Sequence, residues 1–297
     1  LAPMSAAGPA PLIRARAADL ERAMSALEEL RRLQAERPAP VVREKRVRYR
    51  AERFDRAAAL ETLLSHLEGR GFVYAPWIVA AYVTALRTKP LVILAGPTGT
   101  GKSKLPLLVA EATGSAAQLI PVRPDWADSA ELLGYVDLQG RFRPGALLRL
   151  MREAQQQPDR FLVGVLDEMN LARPEQYLAQ ALSRIEDRRP LPEGGWATEP
   201  LLQLSLAPAD QGWARVAWTA NFALVGTVNV DETTHGFSRK VIDRAFTLEL
   251  TEIDLAATPV SSVVEPEPWP VTAWLPRALR LAELPTPSDA ERQQLDR

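Results

Sequence analysis

The chain contains 297 residues, with no cysteine and a formal net charge of −1. This composition excludes a disulfide framework and thiolate metal sites, and it fits a cytoplasmic protein. A nearly neutral chain has no overall field that attracts nucleic acid, and no apolar run approaches the roughly 20 residues that span a bilayer. We therefore expect no membrane contact, and contact with DNA only through a local patch or a complex.

The first 70 residues are predicted to be mostly helical. Apolar residues recur every three or four positions over 17–35 and again from Leu60 to Leu67, as on amphipathic helices. Between them, residues 43–56 are rich in arginine and lysine. A solvated face or a subunit surface is the favoured interpretation of this basic stretch, and a phosphate-tracking surface is the alternative.

A glycine-rich loop follows a five-residue apolar strand that starts at Leu91. Its sequence fits the pattern G-x-x-x-x-G-K-[ST] with Gly96, Pro97, Thr98, Gly99, Thr100, Gly101, Lys102 and Ser103. Glycines let the backbone wrap closely around phosphates, the lysine faces the β- and γ-phosphates, and the serine hydroxyl is a ligand for Mg²⁺. These residues predict a site for a nucleoside triphosphate.

Strands and helices alternate after the loop, which predicts a parallel sheet with helices on both faces. We expect strands near 118–122, 161–166, 222–228 and 246–250, and helices after Lys102 and near 145–154, 174–187 and 238–245. Two stretches break the alternation. Residues 123–144 are predicted to be a non-helical insertion with a turn at Gln139-Gly140, and residues 189–221 a β-hairpin with strands near 201–206 and 213–218.

Two carboxylates follow the predicted strand at 161–166. Asp167 can hold Mg²⁺, and Glu168 can orient and deprotonate the water that attacks the terminal phosphate. Two adjacent carboxylates are by themselves weak evidence for a catalytic site. Here the evidence is stronger, because one strand–helix unit separates them from Lys102, as in a nucleotide-hydrolysing site. We therefore predict Ser103 and Asp167 as metal-site residues and Glu168 as a catalytic residue.

Asn229 ends the next apolar strand, and its amide can position the attacking water between strands. The helix that follows carries Arg239, Lys240 and Arg244. Arginine suits charge that is spread over a transferring phosphoryl group, and Arg244 is the preferred candidate for that role, with a simple salt bridge as the alternative. His66 is interpreted as structural, and His235 as a weak candidate for a phosphate or subunit contact.

These ordered motifs resemble AAA+ ATPases, and more closely the McrB-like branch, the motor subunits of modification-dependent restriction and defence systems. The resemblance covers about 73–254 and rests on LVILAGPTGTGKS (91–103), on 122–145, on LDEMNLARPEQYLAQALSRIE (166–186) and on VGTVNVDETTHGFSRKVIDRAF (225–246). McrB proper has Asn-Thr-Ala-Asp where this chain has Asn229-Val230-Asp231-Glu232.

The resemblance implies an AAA+ core over 71–254, after a helical region at 1–70 and before a partial lid or tail at 255–297. It also implies a ring, which we expect to be a hexamer. In such a ring an arginine of one subunit completes the nucleotide site of the next. ATP or GTP with Mg²⁺ is the expected cofactor, and a McrC-like nuclease subunit the expected partner. A MoxR-like chaperone that remodels a protein without DNA is the alternative, and a regulatory module without turnover is disfavoured by Glu168 and Asn229.

Overall fold

The computed structural model describes residues 54–191, 195–203, 206–230, 236–251 and 265–276. The predicted helix at 17–35, most of the basic stretch, His235 and the greater part of the predicted lid or tail lie outside these residues. Within the described part of the chain, no helix is both long and apolar enough to cross a membrane.

In chain order the helices are α1 (Arg56–Gly69), α2 (Pro76–Thr88), α3 (Lys104–Ala112), α4 (Ala130–Leu133), α5 (Ala146–Gln156), α6 (Pro174–Tyr177), α7 (Ala179–Glu186) and α8 (Arg239–Ile242). The strands are β1 (Leu91–Gly96), β2 (Ala116–Pro121), β3 (Gly134–Val136), β4 (Phe142–Pro144), β5 (Leu162–Asp167), β6 (Arg189–Pro190), β7 (Trp196–Pro200), β8 (Ala217–Thr219), β9 (Phe222–Asn229) and β10 (Ala245–Glu249).

Two helices precede the sheet and pack on one of its faces. Asp55 begins α1, because its carboxylate accepts hydrogen bonds from the N–H groups of Ala57 and Ala58 at 3.0 and 3.2 Å. Pro76 begins α2, a position where its missing N–H costs nothing. Leu63 of α1 and Tyr82 of α2 are buried in the same cluster as residues of β1. The segment between the two helices, 70–75, reaches the glycine-rich loop that follows β1.

The central sheet has five parallel strands in the order β10-β1-β9-β5-β2. The fold class predicted from the alternation of strands and helices is confirmed. The register pairs Gly96 with Asn229 and Leu166 with Gly226. The carboxyl ends of β1, β9 and β5 therefore meet at one edge of the sheet, where ligands bind in open α/β folds.

The first insertion differs from the prediction. Residues 123–144 were predicted to lack a helix, but α4 forms one turn before the antiparallel strands β3 and β4. Asp128 accepts a 2.7 Å hydrogen bond from the N–H of Ala130, and Leu132 and Leu133 are buried. A single turn is too short to show helical periodicity in the sequence. The turn at Gln139-Gly140 is confirmed, with φ of 74° at Gly140.

The second insertion is a three-stranded antiparallel sheet, β6-β7-β8, rather than a hairpin. The predicted strand positions were correct only in part: β7 ends at Pro200, before the expected run at 201–206, and Trp213–Arg215 forms a 3₁₀ turn, so only the end of the second run lies in β8 (Ala217–Thr219). Leu201 and Leu206 are buried in the core without being part of a strand, and their apolar spacing therefore led to a wrong strand prediction. Likewise, the helix predicted at 174–187 is divided at Leu178 into α6 and α7.

Candidate nucleotide-binding site

The glycine-rich loop joins β1 to α3 at the carboxyl edge of the sheet. Gly99 has φ of 87°, and a Cβ atom there would meet nothing within 4 Å, so only its backbone conformation requires glycine. Gly101 has φ of 81°, and a Cβ atom there would lie 2.5 Å from the hydroxyl of Tyr74. Both positions thus select glycine, the second for two reasons.

Lys102 points its ammonium into the loop. The side chain is 5% exposed, and Nζ donates hydrogen bonds of 2.9 Å to the carbonyl of Gly96 and 2.5 Å to that of Pro97. A buried cation is costly unless an opposite charge or strong acceptors compensate it. A cation held by an open, glycine-rich loop fits an anionic phosphate ligand.

Tyr74 is a site residue that the sequence motifs did not identify. Its hydroxyl donates a 3.0 Å hydrogen bond to the carbonyl of Gly101, and burial raises the pKa of this phenol. The phenol therefore stays protonated and braces the loop from the segment before α2. Tyr74 lies outside every recognisable pattern, so the sequence carries no signal for it.

An open cleft separates this segment from the loop. Its lining comes from Gly71, Phe72, Val73, Tyr74, Ala75 and Ile78 on one side, and from Gly99, Thr100, Gly101 and Leu250 on the other. The lining combines backbone groups with apolar side chains. This mixture suits a flat heterocycle that stacks on apolar surface and bonds to the backbone.

Ser103 and Asp167, the two residues predicted to share a metal ion, are in direct contact. The hydroxyl of Ser103 donates a 2.5 Å hydrogen bond to Oδ1 of Asp167. Hydroxyl and carboxylate oxygens are the ligands that Mg²⁺ prefers. In the described residues no group of three or more His, Asp or Glu side chains could hold an ion. A magnesium ion here would therefore need phosphate oxygens or water to complete its coordination.

Glu168 follows Asp167 in an unusual backbone conformation. Its φ of 52° is the only positive value at a non-glycine residue in the described ranges, a conformation that costs an L-residue about 1–2 kcal/mol. Its Oε1 accepts a 3.1 Å hydrogen bond from the amide of Asn229, which is 8% exposed. Strain of this kind persists where surrounding contacts maintain it, and it is frequent at functional sites.

Two further polar residues that the sequence motifs did not single out surround this turn. The hydroxyl of Thr227 accepts a hydrogen bond from the N–H of Glu168 and donates one to Oδ1 of Asp167, both at 2.9 Å. Asn170 donates from Nδ2 to the carbonyl of Asn229 at 3.3 Å. Thr227 was missed because a threonine inside an apolar strand is ordinarily a strand former.

Arg244 lies apart from this cluster. Its guanidinium forms an ion pair with Glu186 at the end of α7, and Nη1 donates a 2.7 Å hydrogen bond to the carbonyl of Lys240. The salt bridge expected as the alternative for Arg244 is present, and its partner is Glu186. Arg239 and Lys240 are exposed, and His66 is buried on α1. Within one chain, the loop, both carboxylates and Asn229 come together, and Arg244 does not join them.

The family described as "AAA domain (dynein-related subfamily)" matches residues 91–247, which is more than half of the chain. The match begins at β1 and ends in β10. The chain belongs to this family. It has an AAA+ core, as predicted, and the clustered residues described above lie inside or beside the matched range.

A solved structure named "putative ATPase", from Cytophaga hutchinsonii, is also similar to this AAA+ chain. The identity is 14% and the TM-score 0.41, over 67% of this chain and 54% of the other. This chain thus spans about half the length of that protein. Among curated proteins, none matches.

Proposed function

We propose that this AAA+ domain hydrolyses ATP or GTP with Mg²⁺ at the carboxyl edge of its sheet. The observation that carries the proposal is the contact between the two strand ends: Asn229 donates to Glu168, while Asp167 accepts from Ser103. A carboxylate held by an amide beside a hydroxyl–carboxylate pair is the arrangement that activated water and a divalent ion need.

The roles divide among the residues of the loop and the strand ends. Backbone N–H groups over 96–101 and the ammonium of Lys102 bind the phosphates, and Ser103 with Asp167 holds the ion. Mg²⁺ supplies charge neutralisation on the phosphates when it is bound. Glu168 accepts the proton of the attacking water, and Asn229 keeps the Glu168 carboxylate in place. The cleft beside Tyr74 receives the base.

A second copy of the chain completes the site in this proposal. Arg244 pairs with Glu186 at the end of α7 and, among the described residues, makes no hydrogen bond or ion pair with the glycine-rich loop of its own chain. An arginine at this place suits a role in the neighbouring subunit of a homo-oligomeric, hexameric ring. There it would stabilise the charge that develops on the phosphoryl group.

The turn between β3 and β4 suggests what the motor contacts. Leu138 is fully exposed, and Tyr135 and Val136 are 56% and 47% exposed. Such side chains on a protruding turn are suited to an apolar partner surface. We propose that this turn contacts a polypeptide segment of a partner protein.

One carboxylate, that of Asp137, faces the guanidinium groups of both Arg141 and Arg143 at this turn. Asp137 accepts N–H bonds from Gln139 and Arg141 at 3.0 and 2.9 Å, and it pairs with the guanidinium of Arg143 at 2.8 Å. The N–H of Arg141 is the main cause that lowers the pKa of the Asp137 carboxyl, and the Arg143 hydrogen bond contributes. The exposed apolar side chains of this braced turn are the feature that favours a protein surface as its partner.

The McrB-like motifs favour a nuclease-type subunit as this partner, with DNA reached through the complex. On that basis we place the protein in restriction or antiviral defence. A MoxR-like chaperone, which would contact a client protein through the same turn, is the alternative. Both use the same nucleotide chemistry, so the partner distinguishes them.

The test measures the rate of phosphate release by this protein alone, with duplex DNA, with a McrC-like nuclease subunit, and with both. For the McrB-like function, DNA and nuclease together raise hydrolysis, and Glu168→Gln abolishes DNA cleavage. A hydrolysis rate that does not change with DNA but increases with a client protein would support the MoxR-like chaperone function.

The Leu138→Ser variant tests the contact surface. It should lose stimulation by the partner and keep its basal hydrolysis. Leu119→Ser, at an exposed apolar residue of the edge strand β2, is the matched control and should keep both. Equal behaviour of the two variants would contradict a role for the turn.

A further inference from the structure

Thr227 makes contact with both carboxylate residues of the candidate site through one oxygen atom. Its Oγ1 donates to Oδ1 of Asp167 and accepts from the N–H of Glu168, each at 2.9 Å. The residue is 1% exposed. A hydroxyl is the smallest side-chain group that can donate and accept at once, so both bonds require Thr or Ser at this position.

The backbone around Thr227 holds the same turn. Its carbonyl accepts a 2.9 Å hydrogen bond from the N–H of Met169, the residue after Glu168. A Cβ atom on the adjacent Gly226 would lie 1.9 Å from Sδ of Met169, so β9 approaches the turn as closely as packing permits. Tyr177 closes the other side with a 2.7 Å hydrogen bond to the carbonyl of Met169.

These contacts explain how Glu168 keeps its left-handed backbone. The N–H of Glu168 points to Thr227, and its carboxylate accepts from Asn229, two residues further along the same strand. Strand β9 thus holds Glu168 at both ends. Through Asp167, the same hydroxyl also acts on the residue that Ser103 contacts.

We propose that Thr227 is a positioning residue for nucleotide hydrolysis. Its hydroxyl orients the Asp167 carboxylate towards the Ser103 side of the site, and it holds the Glu168 turn in the conformation that brings its carboxylate to Asn229. The inference rests on the roles proposed above for Asp167 and Glu168. It assigns Thr227 no contact with substrate.

The replacements at this position separate the hydroxyl from the rest of the side chain. Valine has nearly the same shape and the same preference for strands, but it leaves the Glu168 N–H without the Thr227 acceptor and removes one of the two donors to Oδ1 of Asp167, the other being Ser103. Serine keeps both bonds and lacks only the methyl group. Thr113 offers a control: it is also 1% exposed, and its hydroxyl donates to the carbonyl of Val109 at the far end of α3.

The experiment compares the Thr227→Val, Thr227→Ser and Thr113→Val variants of the full chain. Phosphate release gives kcat and KM, a titration with MgCl₂ gives the concentration for half-maximal rate, and a fluorescent nucleotide gives affinity in EDTA. We expect T227V to lose about 30-fold to 100-fold in kcat, at or just below the lower end of what a general base contributes, because the base is displaced rather than removed. Its half-maximal Mg²⁺ concentration should rise, while its affinity without Mg²⁺ stays within about threefold of wild type, since the phosphate loop is untouched.

The other two variants identify the hydroxyl as the cause. T227S should keep kcat within about threefold of wild type, and T113V should keep both kcat and the Mg²⁺ midpoint even though it also loses a buried hydroxyl. Thermal unfolding of all variants shows whether stability differs. If T227V does not fold, Thr227→Ala replaces it, because alanine and serine differ here only in the hydroxyl.

The inference is overturned if T227V matches T113V in kcat and Mg²⁺ midpoint, or if T227S loses as much activity as T227V. Glu168→Gln is measured in parallel. If wild type hydrolyses nucleotide and E168Q is equally active, the proposed site fails; if E168Q is inactive and T227V active, only the role of Thr227 fails.

Discussion

The amide of Asn229 donates a 3.1 Å hydrogen bond to Oε1 of Glu168, so the ends of β9 and β5 are joined through the two side chains. The two residues lie 61 positions apart in the chain. Their contact exists because β5 and β9 are adjacent parallel strands that end at the same edge. It makes the position of each side chain depend on the other.

Glu168→Gln should stop hydrolysis and spare binding. Glutamine keeps an oxygen that Asn229 can reach but cannot accept the proton of water, so we expect phosphate release to fall by about 10²–10³-fold. Nucleotide affinity should stay within about threefold, because no phosphate-binding group changes. Phosphate release and fluorescent-nucleotide titration check the two parts. An affinity loss as large as the rate loss would contradict the assignment.

Asn229→Asp should be more harmful than Asn229→Ala. Alanine removes the donor to Glu168, whereas aspartate places a second carboxylate about 3 Å from the first, and like charges at that distance repel. We expect kcat to fall by about 10-fold for alanine and by about 10²-fold for aspartate, in line with one lost catalytic hydrogen bond and an added repulsion. Steady-state kinetics measures both. The reverse order would show that the Glu168 contact is unimportant.

Tyr74→Phe should weaken the phosphate loop, since the Gly101 carbonyl loses its donor. The expected cost is about 1 kcal/mol in stability, with a several-fold higher KM and little change in kcat. Gly101→Ala should be far worse, and Y74F should not rescue it: removing the hydroxyl relieves the 2.5 Å clash, but the φ of 81° remains. Thermal unfolding and kinetics of the two single variants and the double variant check this. Rescue would show that the clash alone selects glycine.

Arg244→Ala tests the shared site. If Arg244 acts in the neighbouring subunit, R244A and Lys102→Ala should each be inactive, and a mixture of the two should recover activity at interfaces that pair an intact loop with an intact arginine. Glu186→Gln removes the ion pair but keeps the Arg244 side chain itself. Phosphate release across mixing ratios provides the measurement. If the mixture is as inactive as its components, Arg244 does not act in the neighbouring subunit, and its ion pair with Glu186 is a structural contact.

The residues of the candidate site were predictable because each stands where a regular pattern stops. The loop of Lys102 and the carboxylates Asp167 and Glu168 follow buried apolar strands, and Asn229 does the same. Alternating strands and helices imply a parallel sheet, and parallel strands end at one edge. Proximity of these groups therefore follows from local sequence together with one topological rule.

The insertions were predicted less well. In 189–221 the spacing of Leu201 and Leu206 reflected burial in the core, and the strand lies earlier, at Trp196–Pro200. In 123–144 the helical turn of α4 is too short for its periodicity to be visible. Short elements have few residues, so packing against the rest of the fold outweighs their own preferences.

The sequence by itself determined the family and the candidate site, because the glycine-rich loop and the polar residues at the strand ends are local patterns. Only the tertiary structure decided what holds those side chains. Tyr74 reaches Gly101 across 27 positions, and Thr227 reaches Glu168 and Asp167 across 59 and 60. Such hydrogen bonds depend on strand register and close packing, which join residues whose separation along the chain leaves no local pattern. The left-handed turn at Glu168 has the same origin, since contacts from β9 maintain a conformation that the glutamate alone would avoid.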